Sequence, residues 1–178
     1  LQCVAKTIDI MEKSLADIRN HSSGKVRTVW PIIQYFKGWS SWHRMPTPEE
    51  VYAMSFAAII HGGKGITWYT YGGFIEPEKK RFNYGVCSSA QTWHTTTNLT
   101  RRLSALSPVF LARDVKDVRT PEMLSGPERD AFNRPSVTVL LKEHAGATYV
   151  FAVNATMEQV SARIFTGLAG ASAGTVLY

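Results

Sequence analysis

Long apolar runs are absent from this sequence: no window approaches the roughly 18 to 20 uninterrupted apolar residues of a membrane-spanning helix. The opening residues also lack the basic start and apolar core of a secretory signal peptide. Internal repeats and low-complexity tracts are missing as well. An apolar fraction of 44% in 178 residues is nevertheless typical of a globular core. We therefore expect a folded chain with no membrane span.

Motifs for metal and phosphate chemistry are also missing. The histidines stand singly, without the close paired spacing of a zinc site, and there is no glycine-rich phosphate loop. No G-x-S-x-G nucleophile elbow occurs. We therefore expect no metal, no cofactor and no serine-hydrolase chemistry. The histidines are His21, His43, His61, His94 and His144.

Cysteine is scarce, with only Cys3 and Cys87 in the chain. They fit no metal spacing, and they could form one disulfide, be two buried thiols or pair with cysteines elsewhere. Two N-glycosylation triplets begin at Asn98 and Asn154, and neither has proline in the middle. Together these features favour a secreted or lysosomal-type compartment.

Acidic residues are outnumbered by basic ones, which gives a net charge of +6. The basic residues are scattered, however, and the densest group is only Lys79, Lys80 and Arg81. A nucleic-acid interface needs a basic stripe or patch, so we expect no nucleic-acid partner.

The most informative stretch is residues 27–73. Residues 29–36 and 66–71 are short aromatic and apolar runs typical of buried strands. Pro31 should stand near the start of the first strand or at a bulge. Between them, Thr47 can cap a helix that has Pro48 at its first position and Glu50 completing a capping box. About 30 residues containing one helix separate the two strands, the size of a βαβ crossover, so we expect parallel strands.

The flanking segments follow other patterns. Apolar residues from Val4 to Ile18 recur at helical spacing, and a second helix is marked by residues 99–110 after a loop over residues 74–95. Three strand-like segments, residues 136–143, 148–154 and 160–166, predict an antiparallel β region. We divide the chain into residues 1–113, an irregular linker over 114–135 and a C-terminal β domain over 136–178.

Two parallel strands with covering helices cannot bury both of their own faces. We therefore expect this chain to be cut from something longer. An upstream segment or a companion polypeptide would supply the remaining strands.

With these segments in place, RTVWPIIQYF…TPEEVYAMSFAAIIHGGKGITWYTYGG resembles the last part of a TIM-barrel glycoside hydrolase of the beta-galactosidase-like superfamily, including its seventh and eighth βα units. The segment TNLTRRLSALSPVFLARD is similar to the closing barrel helix, and SVTVLLKEHAGATYVFAVNAT to an appended β-sandwich. The resemblance extends to the sequence itself over residues 27–73. In the rest of the chain it concerns only the order of helices and strands. It implies an α/β fold, the end of a (β/α)8 barrel followed by a small antiparallel β-sandwich, acting on O-glycosidic bonds.

One position departs from that family. Retaining relatives carry the nucleophilic glutamate at the end of the seventh strand, where this chain has Gln34, and an amide cannot replace a carboxylate nucleophile. The acids could lie upstream, the register could differ, or the chain could be a noncatalytic carbohydrate-binding relative. We favour upstream acids. Within the chain, Glu76 is a weak catalytic candidate, and like Glu78 it lies in a charged loop-like setting typical of solvated residues.

Aromatic rings can stack on the C–H faces of sugars while amides bind their hydroxyl groups. We expect substrate contacts from Gln34 and Tyr35 at the end of the first strand and from Trp39, Trp42 and His43 in the loop after it.

In the second strand, alternation separates Trp68 from Tyr69. We expect Trp68 to form the floor of the sugar subsite, while Tyr69 and Tyr71 pack against helices, although Tyr71 could reach the pocket. Trp93 and His94 would precede the closing helix as a hinge cover. Besides the enzyme and the carbohydrate-binding protein, an autonomous small α/β interaction domain is the third reading.

Overall fold

The computed structural model describes residues 3–21, 23, 27–38, 43–79, 81–116 and 118–167. These residues form a mixed helical and stranded structure with small sheets, which confirms the α/β expectation at that level. None of the helices described is long and apolar enough to cross a membrane. The helices are α1 (Cys3–His21), α2 (Pro48–Ile60) and α3 (Ala90–Leu111).

A parallel strand pair lies at the centre of the N-terminal part. Strands β1 (Ile32–Gln34) and β3 (Thr67–Tyr69) are joined by α2, which confirms the predicted βαβ crossover. Pro31 stands immediately before β1, and its carbonyl accepts a hydrogen bond from Thr67 N at 3.1 Å. Pro31 therefore accepts a hydrogen bond from β3 through its carbonyl, at a position where the N–H that proline lacks is not needed.

Helix α2 begins as its sequence predicts. Thr47 Oγ1 accepts a hydrogen bond from Glu50 N at 3.3 Å, and Glu50 Oε2 accepts one from Thr47 N at 2.8 Å. Arg44 adds a two-point contact to the Glu50 carboxylate, with both N···O distances 2.6 Å. The helix ends before Gly62, whose φ of +91° suits glycine.

Helix α3 begins earlier than predicted. Ser89 caps it by accepting a hydrogen bond from Thr92 N at 3.1 Å, so the expectation that Trp93 and His94 form a hinge before the helix is wrong. Threonines here disfavour a helix by intrinsic propensity. In the structure, Thr95, Thr96 and Thr97 each donate from Oγ1 to the carbonyl four residues earlier.

The segment predicted as a long loop, residues 74–95, contains two strands and the start of α3. Strands β2 (Lys37–Gly38), β4 (Phe74–Glu76) and β5 (Arg81–Tyr84) form an antiparallel sheet in the order β2, β5, β4. This sheet lies beyond the carboxyl ends of β1 and β3, because β2 and β4 follow those two strands closely in the chain.

The C-terminal part is antiparallel, as predicted. Strands β8 (Val137–His144) and β9 (Ala147–Asn154) form a hairpin, and β6 (Arg113–Asp114) pairs with β8. Strands β7 (Glu122–Ser125) and β10 (Ser161–Arg163) form a separate pair. The prediction that residues 114–135 are irregular is therefore wrong, since β7 lies within them and β6 ends at Asp114. The described strands form four small sheets, and neither a closed barrel nor a two-sheet sandwich is shown.

Two apolar clusters form the core, and the smaller one joins helices α2 and α3 to the β8–β9 hairpin. Phe151 of β9 stacks near Phe56 of α2, with a centroid separation of 6.4 Å, and packs 4.9 Å from Phe110 of α3. The larger cluster combines residues of α1, α2, β1 and the end of β9, including Ile8, Met11, Ile33, Met54 and Val153. The domain division at residues 114–135 stays a prediction.

A polar contact also joins α1 to the turn before β8. Arg134 donates to Asp130 Oδ2 from Nε at 3.0 Å and from Nη2 at 2.9 Å, and Nη2 also donates to the carbonyl of Ala5. Arg134 Nη1 lies 3.4 Å from Glu12 Oε2. The Asp130 side chain is fully buried, so these bonds compensate the loss of its hydration.

Candidate functional site

The parallel pair presents one face to α2. Ile33 and Tyr35 are buried on this side, and Trp68 is the register partner of Ile33. The indole Nε1 of Trp68 donates a hydrogen bond to Ser55 Oγ of α2 at 3.2 Å. Trp68 therefore belongs to the interface between sheet and helix, on the face opposite Tyr69. Its predicted contact with a sugar stays a prediction.

The opposite face is open and largely apolar. Ile32 is paired with Thr67 and Gln34 with Tyr69, so these side chains leave the sheet away from α2. Ile32 is 69% exposed and Tyr69 53% exposed, and Trp30, just before β1, is 64% exposed. In a closed barrel this face would be interior.

Aromatic side chains gather where β1 and β3 end. Phe36 and Tyr69 meet edge to face with ring centroids 5.5 Å apart, and Tyr71 and Trp93 do so at 6.3 Å. Tyr71 is 68% exposed and Trp93 52% exposed. The prediction that Tyr69 packs against a helix is wrong, because Tyr69 is exposed and contacts Phe36. Tyr71 touches Trp93 of α3 but is also exposed, and its contact with a sugar stays a prediction. We call Phe36, Tyr69, Tyr71 and Trp93 the aromatic platform.

Backbone hydrogen bonds fix one side of the platform. Val86 N donates to Thr70 O at 2.7 Å, and Cys87 N donates to Tyr71 O at 2.9 Å. Thr92 Oγ1 of α3 donates to Val86 O at 2.5 Å. These bonds hold Tyr71 against the first turn of α3, where Trp93 lies.

Gly85 allows this approach. A Cβ at this position would overlap the carbonyl oxygens of Thr70 and Gly72 and lie 2.9 Å from that of Tyr71. The close contact between the two segments therefore requires glycine.

Gln34 lies beside the platform, while Tyr35 does not. Gln34 is half-buried, and its Nε2 donates to Phe36 O at 3.3 Å. Tyr35 is only 1% exposed. Burial raises the pKa of its hydroxyl, which a hydrogen bond with Thr95 partly offsets. Strand alternation turns Tyr35 into the core, away from the exposed rings. Its predicted contact with substrate stays a prediction.

The other predicted site residues are dispersed. Trp39 and Trp42 lie outside the described residues, and His43 is exposed before α2. Glu76 ends β4 in a half-buried position, and Glu78 is exposed. The catalytic assignment of Glu76 stays a prediction.

The predicted glycosylation sites differ in setting. Asn98 lies within α3, and its Nδ2 is 3.0 Å from His94 Nε2. Asn154 ends β9, where its Oδ1 accepts hydrogen bonds from Thr156 N and Thr156 Oγ1, both at 2.8 Å. Both asparagines stay predicted sites of modification.

The cysteines are not joined to each other. Cys3 is half-buried and Cys87 exposed, and both are free thiols. Within the described residues, no three His, Cys, Asp or Glu side chains gather as metal ligands.

Sequence reasoning missed Trp93 as a platform residue and Tyr69 as an exposed one. The sequence signal for Trp93 was Ser89 as a helix cap. Tyr69 had no such signal, because the face that it takes depends on the register between β1 and β3. Comparisons with protein-family models, curated proteins and solved structures give no match to this chain.

Proposed function

We propose that this chain lines the sugar-binding end of a (β/α)8-barrel glycoside hydrolase and that the catalytic carboxylates lie on an upstream segment or companion polypeptide. The observation that carries this proposal is the aromatic platform at the carboxyl ends of two parallel strands. In parallel α/β proteins that end of the sheet is where ligands bind.

The chemistry of the platform suits carbohydrate. Tyr71 and Trp93 expose ring surface on which sugar C–H faces can stack, and Gln34 places an amide next to Tyr69. A compartment of the secretory or lysosomal type belongs to the same proposal, with Asn98 and Asn154 as glycosylation sites.

The open sheet face supports the incomplete-barrel part of the proposal. Ile32 and Tyr69 expose more than half of their surface on the side where a barrel would have its interior. Further parallel strands would cover this face and make the barrel interior a packed core. The β8–β9 hairpin would belong to the appended sandwich.

A noncatalytic carbohydrate-binding protein on the same scaffold is the second candidate. It is favoured by Gln34, which stands where the retaining family has its nucleophilic glutamate. Such a protein would bind sugars through the same platform without cleaving them.

The first test is a titration of the chain, together with any companion polypeptide found with it, against a panel of neutral and acidic oligosaccharides. Tyr71→Ala and Trp93→Ala should each weaken binding about tenfold or more, since both remove exposed stacking surface. Trp30→Ala is the matched control, because Trp30 is equally exposed at the other end of β1 and should leave affinity unchanged. Equal losses in all three variants, or no sugar binding at all, would contradict the proposal.

A hydrolysis assay distinguishes the glycoside hydrolase from the noncatalytic carbohydrate-binding protein. The assembled protein should release nitrophenol from at least one nitrophenyl glycoside if it is a hydrolase, and sequencing of the upstream or companion segment should reveal strand-terminal Asp or Glu residues. Binding without release, with no such acids, would favour the carbohydrate-binding protein.

A further inference from the structure

A concave site lies at the opposite end of the parallel strands from the aromatic platform. It is a cavity of about 370 Å³ between the end of α2, the segment leading into β3 and the C-terminal half of α3. This volume is within the range of small-molecule sites, roughly 300–1,000 Å³. Its apolar walls include Ile59, Ile60, Ile66, Trp68, Leu103 and Phe110.

A buried ammonium group forms part of this cavity. The Lys142 side chain is only 4% exposed, and its Nζ donates to the carbonyl of Ala112 at 2.9 Å. Its second partner is Asp114 Oδ1 at 2.5 Å. A lysine carries three N–H donors, so these two contacts leave it the capacity for one more hydrogen bond.

The partner carboxylate is far less constrained than the lysine. The Asp114 side chain is 63% exposed and can turn into water, whereas Lys142 cannot follow it. A carboxylate entering the cavity can therefore join or replace Asp114 at Nζ. Lys64 also lines the cavity, so its charged lining residues are two lysines and one aspartate.

We propose that this cavity binds a small amphipathic carboxylate, with its apolar part between α2 and α3 and its carboxylate at Lys142. Apolar walls provide most of the contact area in such sites, and a few placed polar groups select the ligand. Here the apolar walls select a hydrocarbon chain or ring, and Lys142 selects the negative charge over a neutral or positive head group. The site is independent of any sugar bound at the aromatic platform.

Decanoate is the probe, and nonyltrimethylammonium, with the same nine-carbon alkyl chain and the opposite charge, is its comparison. Calorimetric titration of the chain, together with any companion polypeptide found with it, should give a dissociation constant of about 1 mM or tighter for decanoate, as expected for a ligand of this size. The cationic probe should bind at least tenfold more weakly. Backbone amide NMR shifts caused by decanoate should concentrate at Ile66, Trp68 and Leu103.

Two variants with matched controls test the two halves of the proposal. Lys142→Met should weaken decanoate binding about tenfold and abolish the preference for the anion, while Lys116→Met, at an exposed lysine outside the cavity, should change neither. Ser104→Trp places a large ring at an exposed position on the cavity wall and should block both probes. Ala105→Trp, exposed on the same helix but away from the cavity, should not.

Each outcome decides the question. Undetectable decanoate binding, equal affinity for the two probes, or unchanged affinity in Lys142→Met would overturn the proposal. NMR shifts centred elsewhere would also overturn it, and this measurement on the unaltered chain remains valid even if a variant fails to fold.

Discussion

Trp68 is bound to Ser55 by a hydrogen bond from its indole Nε1 to Oγ, 3.2 Å long, across the interface between β3 and α2. Ser55 is completely buried, so this indole supplies a donor to a hydroxyl that water cannot reach. The ring also packs against the main core cluster. Trp68 thus stabilises the βαβ unit and holds α2 at a fixed distance from the sheet.

Substitution of Trp68 should lower stability rather than sugar affinity. Trp68→Phe removes the donor and should reduce the free energy of unfolding by about 1 kcal/mol. Trp68→Ala also leaves a cavity and should cost about 3 kcal/mol. Urea unfolding followed by circular dichroism measures both, with Trp93→Phe, on the exposed platform, as a control expected to stay within about 0.5 kcal/mol. A stable Trp68→Ala variant that loses sugar binding would contradict this role.

Gly85 should tolerate no side chain. In Gly85→Ala the new methyl group overlaps two carbonyl oxygens, so the segment must move away from Thr70 and weaken the hydrogen bonds from Val86 and Cys87. The free energy of unfolding should fall by about 1–3 kcal/mol. The contact between Tyr71 and Trp93 should loosen at the same time, and NMR contacts between the two rings report this.

Gly72→Ala provides the matched comparison for that experiment. A Cβ at Gly72 meets no atom within 4 Å. This variant should therefore keep wild-type stability and ring contacts. If both glycine variants behave alike, the close approach at Gly85 is not the cause.

The Arg44–Glu50 pair should make the fold sensitive to acid. Hydrogen bonds from Arg44 hold the pKa of the Glu50 carboxyl below its ordinary value, and burial only partly opposes them. A carboxyl whose pKa is lowered by folding contributes stability above its ordinary pKa of about 4.3 and loses it as pH falls through the lowered value. Glu50→Gln should therefore reduce stability at neutral pH by about 2 kcal/mol and flatten the decline in acid.

The control for Glu50 is its neighbour in the same helical turn. Glu49 is exposed, so Glu49→Gln should keep the acid-dependent loss of stability. Denaturant midpoints measured across the acid range compare the three proteins. An unchanged acid decline in Glu50→Gln would assign it to other carboxyl groups.

His61 should produce a second pH dependence, nearer neutrality. Burial lowers the pKa of its imidazole, while Glu12, with Oε1 3.6 Å from Nδ1, opposes the shift and Arg134 adds to it. The unfolded chain then binds the proton more readily, so stability is complete above the ordinary pKa of about 6.5 and falls as pH drops below it. His61→Gln should remove this slope, whereas His21→Gln at the exposed end of α1 should leave it in place.

Local features of this fold were predictable because the residues that determine them lie close together in sequence. The capping box of α2 needs only Thr47, Pro48 and Glu50, and the parallel pairing follows from the length of one crossover. The direction in which Trp68 points was not predictable in this way. It depends on the register between β1 and β3, which pairs Gln34 with Tyr69 and is set by packing against α2.

The start of α3 was also not predictable from intrinsic helix propensity. Its threonines have low helix propensity, and only the bonds from their hydroxyls to backbone carbonyls and the packing of the helix make it continuous. Strand β7 escaped prediction because it is short and lies between Pro121 and Gly126, and β6 because it has only two residues. Their partners, β8 and β10, lie far along the chain.

The bonds of Arg134 to α1 affect the order in which the chain can fold. Ala5 and Glu12 are synthesised more than a hundred residues before Arg134, whose guanidinium group contacts them. Contacts of such sequence separation form late, because the intervening loop must close first. On the ribosome, α1 can pack against α2 early, but its full attachment must wait until the turn carrying Asp130 and Arg134 has left the exit tunnel.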